Sequence, residues 1–186
     1  EPGTNPGFLY QQNTIRDALV AGITLNIFNK HCDRVKMANL AQRVNVLQSV
    51  ILTEGPKMIK TPTYHVFHMY RHHQGATLLN STLTGVGETG IGEWKVPEVT
   101  ESVSEDAEHI ITVTLNNLSA DEEKEIEIAF AGDEHVYSVK EAKVVSAEMH
   151  AHNTFDAPEL VKEEEFTAYK KCGNGIKVML PPCSVV

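Results

Sequence analysis

The sequence predicts an α/β unit followed by an all-β unit, and three observations carry that reading. The charge changes sign along the chain: residues 1–75 hold eight Lys/Arg against four Asp/Glu, whereas residues 76–186 hold eight against twenty-one. The first stretch alternates helical and strand-like patterns, the rhythm of a β/α repeat with a parallel sheet. The second alternates apolar and polar residues with period two, which signals antiparallel strands with one wet face each. The expected domains are therefore residues 1–75, an incomplete β/α unit, and residues 76–186, a β-sandwich.

Within the first unit, residues 11–31 read as one long helix. Ile15, Leu19, Ile23 and Ile27 recur every fourth residue, and Ala18, Gly22 and Leu25 widen that stripe. Asn13 or Thr14 supplies a cap, and Lys30 with His31 suits the negative end of the helix dipole. Val35 to Asn39 is a short strand candidate. Val44 to Leu52 is a second apolar run, closed by Thr53-Glu54-Gly55-Pro56. A second helix starts near Thr61-Pro62, with proline in its first turn, and runs to about Gln74. So few strands and helices cannot cover both faces of a parallel sheet. The unit is thus expected to be the tail of a larger β/α domain, in keeping with a chain that opens Glu1-Pro2-Gly3 without an initiator Met.

In the second unit Ile111, Val113 and Leu115 alternate with Thr112 and Thr114, and Ile126, Ile128 and Phe130 alternate with Glu127 and Ala129. Val136, Tyr137 and Val139 lead into Val144, Val145 and Ala147, and Ile176, Val178 and Leu180 form a last strand. The acidic runs Asp121–Glu125 and Glu163–Glu165 read as solvated turns and faces.

Composition narrows the function. The 186 residues are 41% hydrophobic and 22% charged, the profile of a globular chain with a real core. Apolar runs of only a few residues make no membrane span, and no basic segment leads into a signal-type apolar stretch. A net charge of −9 disfavours nucleic acid and anionic membranes as partners. Cys32, Cys172 and Cys183 lack paired spacing, so neither a disulfide framework nor a zinc knuckle is expected.

Most candidate chemistry weakens on inspection. Gly85, Gly87 and Gly90 fit G-x-G-x-x-G, but Glu93-Trp94-Lys95-Val96-Pro97 follows where a phosphate-binding helix would be needed, so a flexible loop between strands is expected. His65, His68 and His72 share one helix face, as metal ligands would. That face lies opposite Val66, Phe67, Met69 and Tyr70, so the histidines are expected on the wet side with no metal. His31-Cys32 lacks an orienting third group for nucleophilic catalysis. The sequons at Asn80 and Asn117 matter only in a glycosylating secretory route. There remains Asn39-Leu40-Ala41-Gln42-Arg43-Val44-Asn45, at the carboxyl end of the candidate strand, where β/α domains gather function. Gln42 and Asn45 both donate and accept, which suits sugar or amide ligands, although capping and turn-making are open to each.

The run from Gly7 to Tyr70, GFLYQQNTIRDALVAGITLNIFNKHCDRVKMANLAQRVNVLQSVILTEGPKMIKTPTYHVFHMY, closely resembles the C-terminal portion of family 51 glycoside hydrolases, the α-L-arabinofuranosidases. The likeness continues more loosely through Ala151-His152-Asn153-Thr154-Phe155-Asp156-Ala157-Pro158-Glu159 and the final Leu180-Pro181-Pro182-Cys183-Ser184-Val185. It implies the last elements of a (β/α)8 barrel plus a C-terminal antiparallel β-sandwich of jelly-roll type. It also implies retaining hydrolysis of terminal α-L-arabinofuranosyl groups from arabinan, arabinoxylan and oligosaccharides, without cofactor. That chemistry uses two carboxyl groups roughly 5 Å apart. In the family both are glutamates on earlier barrel strands, the nucleophile within D-E-W. No D-E-W occurs in this chain, so both catalytic glutamates are expected outside it. Gln42 matches the family glutamine that hydrogen-bonds arabinose in the −1 subsite, and Arg43 departs from the small or apolar residue often found next to it. A homo-oligomeric parent is expected. The alternative is a sandwich that binds carbohydrate, or supports assembly, without catalysis. Binding modules usually present a row of exposed aromatics, whereas Trp94 is the single tryptophan here.

Overall fold

A computed structural model describes residues 12–40, 43–132 and 135–186. Helix α1 (Ile15–Lys30) buries Ile15, Ala18, Leu19, Gly22, Leu25 and Asn26, while Ile27 is 50% exposed. The buried line departs from the every-fourth-residue stripe because a spacing of four overshoots each turn by about 40°. The chain entering α1 runs beside residues 149–151. There the first helical N–H groups, otherwise without partners, donate to carbonyls: Ile15 to Ala151 at 3.1 Å and Arg16 to Met149 at 3.1 Å.

No strand forms over residues 35–40, contrary to the sequence expectation. A parallel strand survives only between neighbours that take up its N–H and C=O groups, and no strand pairs with this segment among the described residues. The second apolar run instead feeds an antiparallel hairpin, β1 (Ile51–Glu54) and β2 (Lys57–Lys60), turning at Gly55 with φ 56°. Helix α2 (Pro62–Tyr70) follows with proline in its first turn and tightens into a 3-10 turn over Arg71–His73.

The rest is strand: β3 (Thr77–Leu78), β4 (Glu88–Ile91), β5 (Trp94–Pro97), β6 (Val99–Glu105), β7 (Ile111–Asn117) and β8 (Lys124–Ile128). Then come β9 (Lys143–Ser146), β10 (Glu164–Glu165), β11 (Tyr169–Cys172), β12 (Gly175–Leu180) and β13 (Ser184–Val185). They make a six-stranded antiparallel sheet, β10-β9-β13-β7-β6-β3, and a three-stranded one, β11-β12-β8. The hairpin β4-β5 stands apart from both sheets. The strand expected from Val136 begins only at Lys143.

Two cores flank the large sheet. Val99, Leu115, Phe166, Val178 and Leu180 pack between the two sheets. Ile15, Ala18, Leu19, Val66, Met69 and Tyr70 of the helices pack with Val145, Val161 and Val185 on the opposite side. Each fully buried apolar side chain there contributes about 1.5–3 kcal/mol. Glu125 and Glu127 of β8 point to water as the period-two pattern requires. Strands β6 and β7 do not follow that rule: Ser102, Ser104, Thr114 and Asn116 are all buried. Helix α1 and the 3-10 turn cover the polar face of this sheet, whose side chains bond to one another, although Asn116 Oδ1 has no hydrogen-bond partner among the described residues.

The centre of that polar layer is Asn26. The hydroxyls of Tyr70, Ser102 and Thr114 each lie 2.8 Å from its Oδ1, and its Nδ2 donates to Thr100 Oγ1 at 3.2 Å. Asn116 Nδ2 adds donations to Tyr70 Oη at 3.2 Å and Thr100 Oγ1 at 3.1 Å. Burial pushes the Tyr70 phenol well above its ordinary pKa. His73 meets Ser104 Oγ at 2.7 Å and Thr114 Oγ1 at 3.2 Å, and burial lowers its pKa to about 4.

Two predictions follow from this layer. A Cβ at Gly22 would sit 2.6 Å from Asn116 Oδ1, whose amide is held on its other side. Gly22→Ala is therefore expected to destabilise by about 1–3 kcal/mol, reversing the gain of about 1 kcal/mol in helix propensity, as read from urea midpoints. For His73, the folded pKa lies below the unfolded value of about 6.5, so the unfolded chain takes up the proton first as pH falls. The stability that neutral His73 contributes is full above about pH 6.5 and declines towards pH 4. His73→Asn should flatten that part of the stability–pH curve in urea titrations, and an unchanged slope would reject the assignment.

Candidate functional site

Gln42, the substrate contact expected from the sequence, lies outside the described residues. The loop that follows it is described from Arg43 onward, and its anchoring is dense. Val44 pairs in parallel with Ile51, through Ile51 N–H to Arg43 O and Asn45 N–H to Ile51 O, both 3.1 Å. Asn45, at φ 56°, turns its carboxamide onto Thr53: Oδ1 accepts Thr53 N–H at 2.7 Å and Nδ2 donates to Thr53 Oγ1 at 2.8 Å. Of the two roles open to Asn45, the structure shows the turn-making one.

The loop is tied to the starts of both helices. Gln48 Nε2 donates to Asp17 Oδ1 at 2.7 Å, and Gln48 Oε1 accepts from Asn13 Nδ2 at 3.3 Å. Asp17 Oδ2 accepts from the backbone N–H and the hydroxyl of Thr14, at 2.8 and 3.0 Å, which is the acidic half of a capping box. Asn13 Oδ1 accepts from the backbone N–H and the hydroxyl of Thr63, at 3.2 and 2.9 Å, in the first turn of α2. Thr61 Oγ1 donates to Ser49 O at 2.9 Å. Sequence reasoning missed Asp17 and Gln48. The Thr14-x-x-Asp17 spacing was the available signal for the first, and nothing local marks the second. Val44, Val46, Leu47 and Met58 remain exposed around this loop.

The histidine face divides. His65 is buried, against expectation, because α2 is covered on more than its apolar side: Glu159 and Glu163 of the 159–163 segment lie near it. Desolvation lowers its pKa, and Nδ1 has no hydrogen-bond partner among the described residues. His68 Nδ1 meets Glu163 Oε2 at 2.9 Å, its Nε2 meets Arg71 Nη1 at 2.8 Å, and His72 is exposed. Among the described residues no three His, Cys, Asp or Glu side chains are grouped to hold a metal ion.

The other motifs settle into structure. The glycine run forms the ordered hairpin β4-β5 rather than a flexible loop. Gly90 adopts φ 137°, and a Cβ there would lie 2.0 Å from Trp94 O. Trp94 and Ile91, paired across the hairpin end, are 86% and 87% exposed. Asn117 of the second sequon is fully buried, its Nδ2 donating to Glu122 O and Pro181 O at 2.8 Å, so it cannot carry a glycan in this fold. The cysteines are free: Cys32 exposed, Cys172 half-buried and Cys183 buried with its thiol pKa raised by burial.

Known proteins place this arrangement. The family described as the alpha-L-arabinofuranosidase C-terminal domain matches residues 1–184. An intracellular exo-alpha-L-arabinofuranosidase of Bacteroides ovatus is 42% identical over all 186 residues, and the chain spans 36% of that protein's length. An intracellular exo-alpha-(1->5)-L-arabinofuranosidase of Streptomyces lividans is 30% identical over 159 residues, 84% of this chain and 24% of its own length. Among solved structures, the GH51 arabinofuranosidase of Xanthomonas axonopodis pv. citri superposes with a TM-score of 0.90 at 39% identity, over 100% of this chain and 37% of that one. A family 51 alpha-L-arabinofuranosidase of Bifidobacterium longum shares the fold, with a TM-score of 0.80 at 23% identity over 97% of this chain and 35% of its own. By its end-to-end match in sequence and in fold, this chain belongs to the α-L-arabinofuranosidase C-terminal domain family.

Proposed function

We propose that this chain is the C-terminal part of a retaining exo-acting α-L-arabinofuranosidase that removes terminal α-L-arabinofuranosyl groups from arabinan, arabinoxylan and their oligosaccharides. The observation that carries this reading is the 42% identity, along the full 186 residues, to an exo-alpha-L-arabinofuranosidase. Retaining hydrolysis places one carboxylate as nucleophile and a second carboxyl as acid and base, roughly 5 Å apart. We assign both to sequence outside these 186 residues, since no D-E-W occurs here and the chain spans about a third of its relatives. In this reading residues 1–75 complete a (β/α)8 barrel, residues 76–186 form a jelly-roll sandwich, and the parent is a homo-oligomer.

The part of this chain in the reaction is to bind and orient. Gln42 hydrogen-bonds the arabinose in the −1 subsite of the complete enzyme and so keeps the anomeric carbon aligned with the two carboxyl groups. The complete enzyme acts on saccharide, with neither nucleic acid nor membrane as partner. The net charge of −9 on this chain supports the exclusion of nucleic acid. Exposed Trp94 keeps a carbohydrate-binding role for the sandwich as the second reading, although it stands on a hairpin with Ile91 and not in a row of rings.

Two outcomes test the proposal. The purified 186-residue chain is expected to release no 4-nitrophenol from 4-nitrophenyl α-L-arabinofuranoside, and release above a mock-purified control would overturn the assignment of both carboxylates elsewhere. In the full-length enzyme Gln42→Ala is expected to lower kcat/KM by about 1–3 kcal/mol, the range for a hydrogen bond whose loss leaves a buried partner unpaired. Unchanged kinetics would remove Gln42 from the site.

A further inference from the structure

Residues 153–165 run as a strap across α2, and its two ends are held differently. At the first end the Asn153 carboxamide closes a loop: Oδ1 accepts Val161 N–H at 2.7 Å, and Nδ2 donates to Val161 O at 2.7 Å and Lys60 O at 2.9 Å. Val161 is buried in the core that holds Val66 of α2. None of these contacts titrates. At the second end β10 adds only two residue pairs with β9, and the contact with α2 is Glu163 Oε2 to His68 Nδ1, at 2.9 Å. Arginine only donates, so the 2.8 Å contact of Arg71 Nη1 makes His68 Nε2 an acceptor. The imidazole hydrogen then sits on Nδ1 and is donated to Glu163. A proton added at Nε2 would displace Arg71 and set two cations side by side.

One turn back on the same helix, His65 lies beneath the strap, 7% exposed, with Nδ1 unpartnered among the described residues. The charged and titratable groups facing it are Glu159 and Glu163 of the strap, Lys60 of β2 and His68 of α2. Glu159 is already paired with Lys162 at 3.1 Å, Lys60 Nζ lies 4.8 Å from the Tyr64 ring centre, and Lys143 of β9 faces Glu163. Burial outweighs the help of the two carboxylates and lowers the His65 pKa. We infer that His65 and His68 form an acid-sensitive clasp: neutral, they seat the strap on α2, and protonated in mild acid they release its Glu163 end. An open strap lets water reach His65, so the open form takes up the proton first. The contribution of neutral His65 is therefore full above the unfolded value of about 6.5 and is lost as pH falls through the lower folded one.

The test is amide hydrogen exchange of the full-length enzyme between about pH 7 and about pH 5, each rate divided by that of the unfolded peptide at the same pH. Peptides covering residues 157–163 are expected to lose protection severalfold more than those of β6 and β7. Equal loss throughout the fold, which titration of His73 alone would give, overturns the clasp. His65→Phe keeps a ring of similar size that cannot be protonated, and His68→Asn keeps a donor near the position of Nδ1. Each should remove part of the excess loss at 157–163, and the double variant should abolish it. An excess that persists in the double variant also overturns the clasp. The profile of the unsubstituted enzyme decides by itself if the variants do not fold, since the absence of any excess there rejects the inference.

Discussion

Asn26 sits where helix α1 crosses the six-stranded sheet, and a carboxamide buried there must find partners inside the protein. Tyr70, Ser102 and Thr114 bring hydroxyls to its oxygen and Thr100 takes its amide N–H. Meeting that demand fixes the surrounding residues. Strands β6 and β7 carry hydroxyls and Asn116 on the face that α1 covers, Tyr70 closes the layer from α2, and Gly22 leaves room for Asn116. Because leaving the Asn26 carboxamide unpaired would cost about 1–3 kcal/mol, its bonds favour this seating of the helix on the sheet.

That seating makes the helices and strands one body. Apolar residues of α1 and α2 share a core with Val145, Val161 and Val185 of the later chain, and the first N–H groups of α1 donate to Ala151 and Met149. The two helix starts are thereby fixed relative to the sheets. From them hangs the loop that follows Gln42, through Asp17, Gln48, Asn13 and Thr63. The later strands thus bear on the loop from Arg43 to Ile51 by holding the helix starts that anchor it.

The fold was legible from sequence where a pattern is local. Both helices, the proline in the first turn of α2, the wet acidic face of β8 and the turn at Gly55 follow from short-range periodicity or backbone preference. Where partners are distant, the same patterns misled. Val35 to Asn39 has strand-like residues but no pairing strand, and His65 lies on the polar side of its helix yet is buried beside the 159–163 segment. For the site, resemblance alone put forward Gln42, which lies outside the described residues. Asn45 remained open between ligand and turn until its bonds to Thr53 were seen.

The sequence by itself determined the helices, the antiparallel strands and membership of the arabinofuranosidase lineage, because each depends on residue order within a short window or along an aligned stretch. Only the tertiary structure decided that the polar face of β6 and β7 is dry, that Asn117 is sealed, and that Gln48 is clamped to Asp17 across 31 positions of sequence. The physical reason is common to all three. A polar side chain has the same local pattern whether water or a buried partner satisfies it, and which of the two it meets is set by elements far away in the chain.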